Sequence, residues 1–216
     1  MILINPYYSL YEAHWNGLDY VGKKLTKKST LIDLINKTVE YYLTIDSANC
    51  FIVEDNYRKI CALVINQQTK TGILDVPDSL TYLQKQFYKE FLSVLNMENE
   101  LIKQFLVDFE KRILLSELTE REQKYLLIIT SVGRSSLDYW NYQLENFSSS
   151  PWNIFLDEKL FKFKIPSWLV ADATGAAIGA LSGAGMGLGG DNGSWAGAAI
   201  GALIGGVSAS GAELIG

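Results

Sequence analysis

The stretch SWLVADATGAAIGALSGAGMGLGGDNGSWAGAAIGALIGGVSASGAELIG, residues 167–216, decides how this chain is read. Within it Gly175, Gly179, Gly183 and Gly187 recur at every fourth position, and after a break at Gly189-Gly190-Asp191-Asn192 so do Gly193, Gly197, Gly201 and Gly205. Helical residues four apart lie on one face, so each run offers a groove free of side chains along which a second helix backbone can approach. The expectation is a glycine-zipper αα-hairpin over 167–216. Small-xxx-small grooves are a common solution in lipid, where close van der Waals contact replaces the hydrophobic effect as the force between helices. Glycine costs about 1 kcal/mol per helical position relative to alanine, so the fourteen glycines of this tail mark helices that need a partner.

Ser167–Leu188 and Ser194–Ile215 are each long enough to cross a hydrocarbon core of about 30 Å at about 1.5 Å per residue. In such a hairpin Asp172 and Glu213 fall at the open end and Asp191 at the tip, where a charge opposes insertion by much less than the roughly 3 kcal/mol it costs at the bilayer centre. Ile178, Leu181, Ile200, Leu203 and Ile204 are then expected to face lipid while the glycine faces meet. Lys159, Lys162 and Lys164 precede the hairpin and, by the positive-inside tendency, would keep the preceding domain cytosolic. The soluble alternative is the same hairpin folded against the rest of the chain in water.

Working outward, composition changes sharply at Pro166: all nineteen basic residues precede it, and only Asp172, Asp191 and Glu213 carry charge beyond it. The domains expected are a helical one over 1–147, a linker over 148–166 opened by Ser148-Ser149-Ser150-Pro151, and the hairpin over 167–216. In the first of these, apolar residues recur at helical spacing over 29–45, with Ser29 or Thr30 as cap, over 79–95 and over 99–116. Cys50–Ile65 fits strand or helix and is read as helix. Thr119-Glu120-Arg121-Glu122 is a capping box opening a helix to about Leu144. The fold class expected is all-α, a helical bundle of about five helices followed by the hairpin.

Several functional classes lose support from the same residues. A net charge of -5 with scattered Lys and Arg provides no basic field for nucleic acid. Cys50 and Cys61 are too few for a disulfide scaffold or a cysteine zinc site and are expected as buried thiols, inert as partners in a Cys-His nucleophilic pair. No basic and apolar leader opens the chain, so cytosolic synthesis is expected, with release or membrane association afterwards. His14 is the single histidine. It forms a conceivable metal or acid-base group with Glu12 and Asp19, but no second histidine, HExxH or cysteine pair accompanies it, and a structural histidine among Tyr11, Trp15 and Tyr20 is the plainer expectation. Gly185-Met186-Gly187 lacks the strand and helix context of a nucleotide loop. Gly189-Gly190 is similar to the double-glycine processing site of exported bacteriocin precursors, and reads better as the turn. No catalytic residue, metal or cofactor is expected.

Arg134 and Asp138 stand at i,i+4 and are expected to pair on the surface. Tyr139 and Trp140, with Tyr142, Phe147 and Trp152, form an aromatic belt just before the tail, and Trp168 stands at its entry; these rings are suited to packing, to docking the tail on the domain, or to a membrane interface. Tyr11 to Val21, the Leu118-Thr119-x-x-Glu122 start leading to Ser131-x-x-Arg134-x-Ser136-x-x-Tyr139-Trp140, and Ala171-Asp172-Ala173-Thr174-Gly175 together resemble a group of uncharacterised proteins from Bacteroidota. The tail there looks like the glycine-zipper tails of two-peptide and circular bacteriocins, which implies membrane activity and transfers no active site. The function expected is a non-enzymatic, bacteriocin-like or toxin-type effector whose hairpin inserts and oligomerises in a target membrane, with lipid as partner and a homo-oligomer formed through the tail. The alternative is a helical interaction or cargo protein whose tail docks in a larger protein assembly.

Overall fold

The computed structural model describes residues 5–45, 50–71, 80–155, 158–185 and 194–215. Among these the chain is all-α, with eight α-helices and no strand. The helices are α1 (Tyr8–Lys24), α2 (Leu31–Ile45), α3 (Cys50–Thr71), α4 (Tyr82–Phe91), α5 (Asn99–Leu115), α6 (Glu120–Glu145), α7 (Glu158–Gly185) and α8 (Ser194–Ile215). The helices expected over 29–45, 50–65, 79–95, 99–116 and 119–144 correspond to α2 through α6, the third of the five periodic segments ending in a 3-10 turn over Leu92–Asn96.

Local chemistry fixes the helix starts. Thr30 and Asp33 cap α2 reciprocally, the Thr30 amide donating to the Asp33 carboxylate at 2.8 Å and the Asp33 amide to the Thr30 hydroxyl at 3.3 Å. Thr119 and Glu122 form the expected capping box of α6, and Thr81 with Gln84 forms a second on α4. These two boxes are joined, because the Thr81 hydroxyl donates to the Glu122 carboxylate at 2.7 Å and the Gln84 amide to the Glu122 carbonyl at 3.2 Å.

Two elements depart from the sequence reading. Helix α1 was not foreseen: its inward positions are Leu10, His14, Gly17, Leu18, Val21 and Gly22, a helical spacing in which half the members are not large apolar residues. Helix α7 begins at Glu158, inside the segment assigned to a linker, and continues through Pro166. Proline withholds one helical hydrogen bond and usually marks a boundary. Here the helix carries on, and its anchorage starts just beyond, where Trp168 and Leu169 are wholly buried.

Helices α7 and α8 pair more extensively than any other two, and the hairpin they form is the centre of the bundle. Helix α6 lies along α7, α2 lies along α8, and α1 and α3 each reach the hairpin. Helix α5 is an outer layer on α6, where Phe109 meets Phe87 and Phe91 of α4 at ring distances of 5.8 and 6.0 Å. Ahead of α1, the buried Asn5 amide donates to Glu110 at 2.8 Å and to the Leu127 carbonyl at 2.9 Å. Each inner helix contributes an amphipathic face, and those faces converge on the apolar hairpin.

Candidate functional site

The hairpin interface is built from absences of side chain. A Cβ placed on Gly175, Gly179 or Gly183 would overlap the carbonyl oxygens of Gly205, Gly201 and Gly197 respectively, well inside van der Waals contact distance. The relation is reciprocal for Gly201 against Gly179 and for Gly205 against Gly175. Backbone meets backbone, at a separation that lets Cα hydrogens approach carbonyl oxygens. The expected zipper face is therefore present at Gly175, Gly179, Gly183, Gly197, Gly201 and Gly205. Gly187 and Gly193 lie outside the described residues, as do the Gly189-Gly190 turn and the side chains of Lys159, Lys162 and Lys164.

The outer face of the hairpin is covered by protein. Ile178, Leu203 and Ile204 are buried in the core, and Leu181 and Ile200 pack against it. Two further glycines on α8 work outward: a Cβ on Gly206 would meet His14 Nε2 at 3.0 Å and Val132 at 2.9 Å, and one on Gly211 would run into Leu34. These notches receive side chains of α1, α6 and α2, a second use of glycine that the fourfold repeat does not reveal. From Gly197 to Ile215, α8 is also long and apolar enough to cross a membrane, though most of that stretch is covered here.

The aromatic group holds the other flank. Tyr139, Trp140, Trp152 and Trp168 are all fully buried. Trp140 of α6 lies 4.4 Å from Trp168 of α7 and 5.4 Å from Trp152 by ring centroids, and Trp152 Nε1 donates to the Tyr139 hydroxyl at 2.7 Å. Of the three roles open to these rings, this structure uses them to dock the tail on the helices before it. Gly22 of α1 makes room for Trp152, since a Cβ there would touch its indole at 2.6 Å.

The least foreseen feature is polar. Asp172 stands in mid-helix, fully buried, and not at an interface as the open-end arrangement of the hairpin charges required; Glu213 is exposed, and Asp191 lies outside the described residues. Its Oδ1 accepts the Ser210 backbone N–H at 3.1 Å, and its Oδ2 lies 3.6 Å from Nε2 of His14, which is equally buried. The side chains of Ser136, Trp140 and Ser210 also face the carboxyl. Burial pushes the Asp172 carboxyl up to about 7 and the His14 imidazole down to about 3, because a low dielectric penalises the charged form of each. On its other side His14 Nδ1 is 3.2 Å from Ser135 Oγ, which itself donates to the Tyr11 carbonyl at 2.7 Å.

Ser135, His14 and Asp172 have the composition of a nucleophilic triad but not its working geometry. The serine proton is directed at a backbone carbonyl and all three side chains are buried, so no substrate carbonyl reaches Oγ. His14 is buried, and it meets Ser135, Asp172 and Gly206 of α6, α7 and α8, partners that the adjacent sequence does not show. Asp19 pairs instead with Lys23 at 2.6 Å. Among the described residues no three His, Cys, Asp or Glu side chains gather as metal ligands. Cys61 is buried beside Ser208, its thiol pushed up to about 12 by desolvation; the Cys50 side chain lies outside the described residues.

The Arg134–Asp138 pair is also corrected. Arg134 turns to the buried Glu110 at 2.8 Å, while Asp138 accepts from Tyr11 at 3.0 Å and from Lys103 at 3.1 Å. Neighbouring helices α5 and α1 offer better partners than the same helix does. Compared with known proteins, the chain matches no family model, no curated protein and no solved structure.

Proposed function

We propose that the protein is a bacteriocin-like, toxin-type effector that stores its glycine-zippered hairpin inside an amphipathic sheath and delivers it to a target membrane. The observation that carries this reading is the packing within the hairpin: α7 and α8 meet backbone to backbone at their glycines, a contact in which no residue of the surrounding helices takes part. The sheath covers the apolar outer face and adds polar contacts, from His14 to Asp172 and from Tyr88 to Thr174, that insertion has to give up. In lipid, Ile178, Leu181, Ile200, Leu203 and Ile204 exchange that cover for acyl chains at little hydrophobic cost, while the glycine contact persists. Oligomerisation then proceeds through whichever hairpin surfaces the lipid leaves free, and no enzymatic step is involved.

A second reading, a helical interaction protein whose hairpin never leaves, draws on the outward notches. Gly206 and Gly211 fit His14 and Leu34 individually, and a hairpin selected only for lipid has no use for them.

A tether separates the two. A Cβ built on Gly133 of α6 lies 3.7 Å from Cβ of Ala173 on α7, with only the edge of the Phe91 ring nearer at 3.1 Å, and disulfides span about 3.5–4.5 Å between Cβ atoms. Gly133→Cys with Ala173→Cys, in a Cys50→Ser and Cys61→Ala background, locks the hairpin to the sheath. Dye release from vesicles of phosphatidylcholine and phosphatidylglycerol is expected from the wild type and from the reduced variant, and none from the oxidised one. Silence from the wild type removes the membrane reading in favour of the second. Equal release from oxidised and reduced protein shows that the hairpin does not have to leave.

A further inference from the structure

A carboxyl and an imidazole buried side by side at the centre of a bundle must settle which of them carries a proton, and the hydrogen bonds around this pair settle it by direction. Ser135 spends its own proton on the Tyr11 carbonyl, so its oxygen is left to accept, and His14 Nδ1 must be the donor across 3.2 Å. In a neutral ring Nε2 is then a lone pair. That lone pair faces Asp172 Oδ2 at 3.6 Å, and neither atom has a hydrogen bond of normal length and angle, the side chains of Ser136, Trp140 and Ser210 standing near the carboxyl without bonding Oδ2. Two lone pairs repel, and a single proton between them turns the repulsion into a hydrogen bond after a small closure. The chain then runs without a fault from Asp172 through His14 and Ser135 to the Tyr11 carbonyl, joining α7 to α1 and α6.

We propose that His14 and Asp172 form a one-proton clamp between the hairpin and its sheath, and that this shared proton makes the closed bundle insensitive to mild acid. The other groups facing the pair are Tyr42 on α2, Ser136, Tyr139 and Trp140 on α6, and Ser210 on α8, with Cys61 of α3 beside Ser208. Tyr42, Tyr139 and Cys61 are the titratable ones, and burial drives all three far above neutrality. Between about pH 4 and 7 the pair's own proton is the one that matters.

Asp172 alone has a folded pKa raised from 3.8 to about 7; its carboxyl favours the folded state in acid, and that contribution is lost as pH rises from about 4 through 7. His14 alone has a folded pKa lowered from 6.5 to about 3; its contribution is present above about 6.5 and lost as pH falls toward 3. Together they cancel. From about pH 4.5 to 6 the unfolded chain carries one proton on the imidazole and the folded chain carries one on the carboxyl, so equal numbers are bound and stability has no slope from this pair. The inference stands whether or not the hairpin enters a membrane, and if it does, mild acid is not what frees it.

Separating the partners exposes the opposed slopes. Urea unfolding of Asp172→Asn should show an unfolding constant that rises by up to about tenfold per pH unit as pH falls below about 6.5. His14→Gln should show the opposite, a rise of up to about tenfold per unit as pH climbs from about 4 toward 7. The wild type and the double variant should change far less over the same range. Slopes of one sign in both single variants, or a slope in Asp172→Asn no steeper than wild type, overturn the clamp. Should either variant fail to fold, the wild type still decides: as the chain's single histidine, His14 gives one set of imidazole nitrogen resonances. A neutral Nδ1–H ring retained at pH 5 supports the proposal, and an imidazolium titrating near 6.5 refutes it.

Discussion

Glycine at position 179 illustrates how one residue can carry opposite energetic signs in helix and fold. By helix propensity Gly179→Ala gains about 1 kcal/mol. In the hairpin the added methyl meets the Gly201 carbonyl carbon at 2.6 Å and the Ala202 nitrogen at 3.3 Å, rigid backbone that cannot turn aside, so a net loss of about 1–3 kcal/mol is expected from overpacking. Gly211→Ala meets the Leu34 side chain first, at its Cδ atoms and Cγ, which can rotate where a backbone carbonyl cannot, and should lose less. Urea midpoints of the two variants at one pH test the ordering; a stabilised Gly179→Ala means the two backbones do not touch. The fourfold glycine repeat made this face legible in the sequence. Asp172 was placed wrongly because sequence gives a charge's position along a helix and not its partner, and Ser135, Ser136 and His14 lie far away in the chain. A signal was nonetheless there: a charged residue amid Ala, Thr and Gly, and a single histidine, each require a buried counterpart or a wet edge.

At the scale of elements, legibility tracked apolar periodicity and capping. Helices α2, α5 and α6 carry large apolar residues at helical spacing, and α6 opens on a capping box that the sequence spells out. Thr119→Ala should therefore cost about 1 kcal/mol, and Glu122→Ala should lower the urea midpoint further, because the same carboxylate also accepts from Thr81 at the start of α4. A Glu122→Ala midpoint equal to that of Thr119→Ala would mean the link between the two boxes is energetically idle. Helix α1 stayed hidden because Gly17, Gly22 and His14 occupy inward positions where a periodicity argument looks for Leu or Val. Those residues are small or polar for a reason the chain alone does not disclose: Tyr42 and Val207 crowd Gly17, Trp152 crowds Gly22, and His14 sits in the notch of Gly206. The start of α7 is hidden in the sequence because proline ordinarily marks a boundary, whereas here burial of Trp168 against Trp140 fixes the helix just past it.

For the whole molecule, the decisive relation is between a tail that reads as an appendage and helices that read as a domain of their own. The structure gives them one shared core. His14 of α1, Leu34 of α2, Cys61 of α3, Tyr88 of α4 and Trp140 of α6 each meet the hairpin, at Asp172, Gly211, Ser208, Thr174 and Trp168 in turn. A glycine zipper announces that two helices pack closely and leaves open what covers their other side, since lipid and an amphipathic sheath ask for the same outer residues. The difference is measurable by deletion. A fragment ending at Ser150 loses α7 and α8, and the faces of α2, α3 and α6 that lay on them are uncovered at once. That fragment is expected to keep part of its helical circular dichroism, to lose the near-ultraviolet signal of Trp140, to bind a hydrophobic dye and to unfold in urea without a cooperative transition, the behaviour of a state that has lost specific packing. An independent domain would instead unfold cooperatively with its aromatic signal intact. That outcome would make the hairpin a detachable tail and remove the physical basis for a sheath, whereas the expected one means that any release of the hairpin must leave behind a helical remnant with a large apolar surface of its own, ready to follow it to the same membrane.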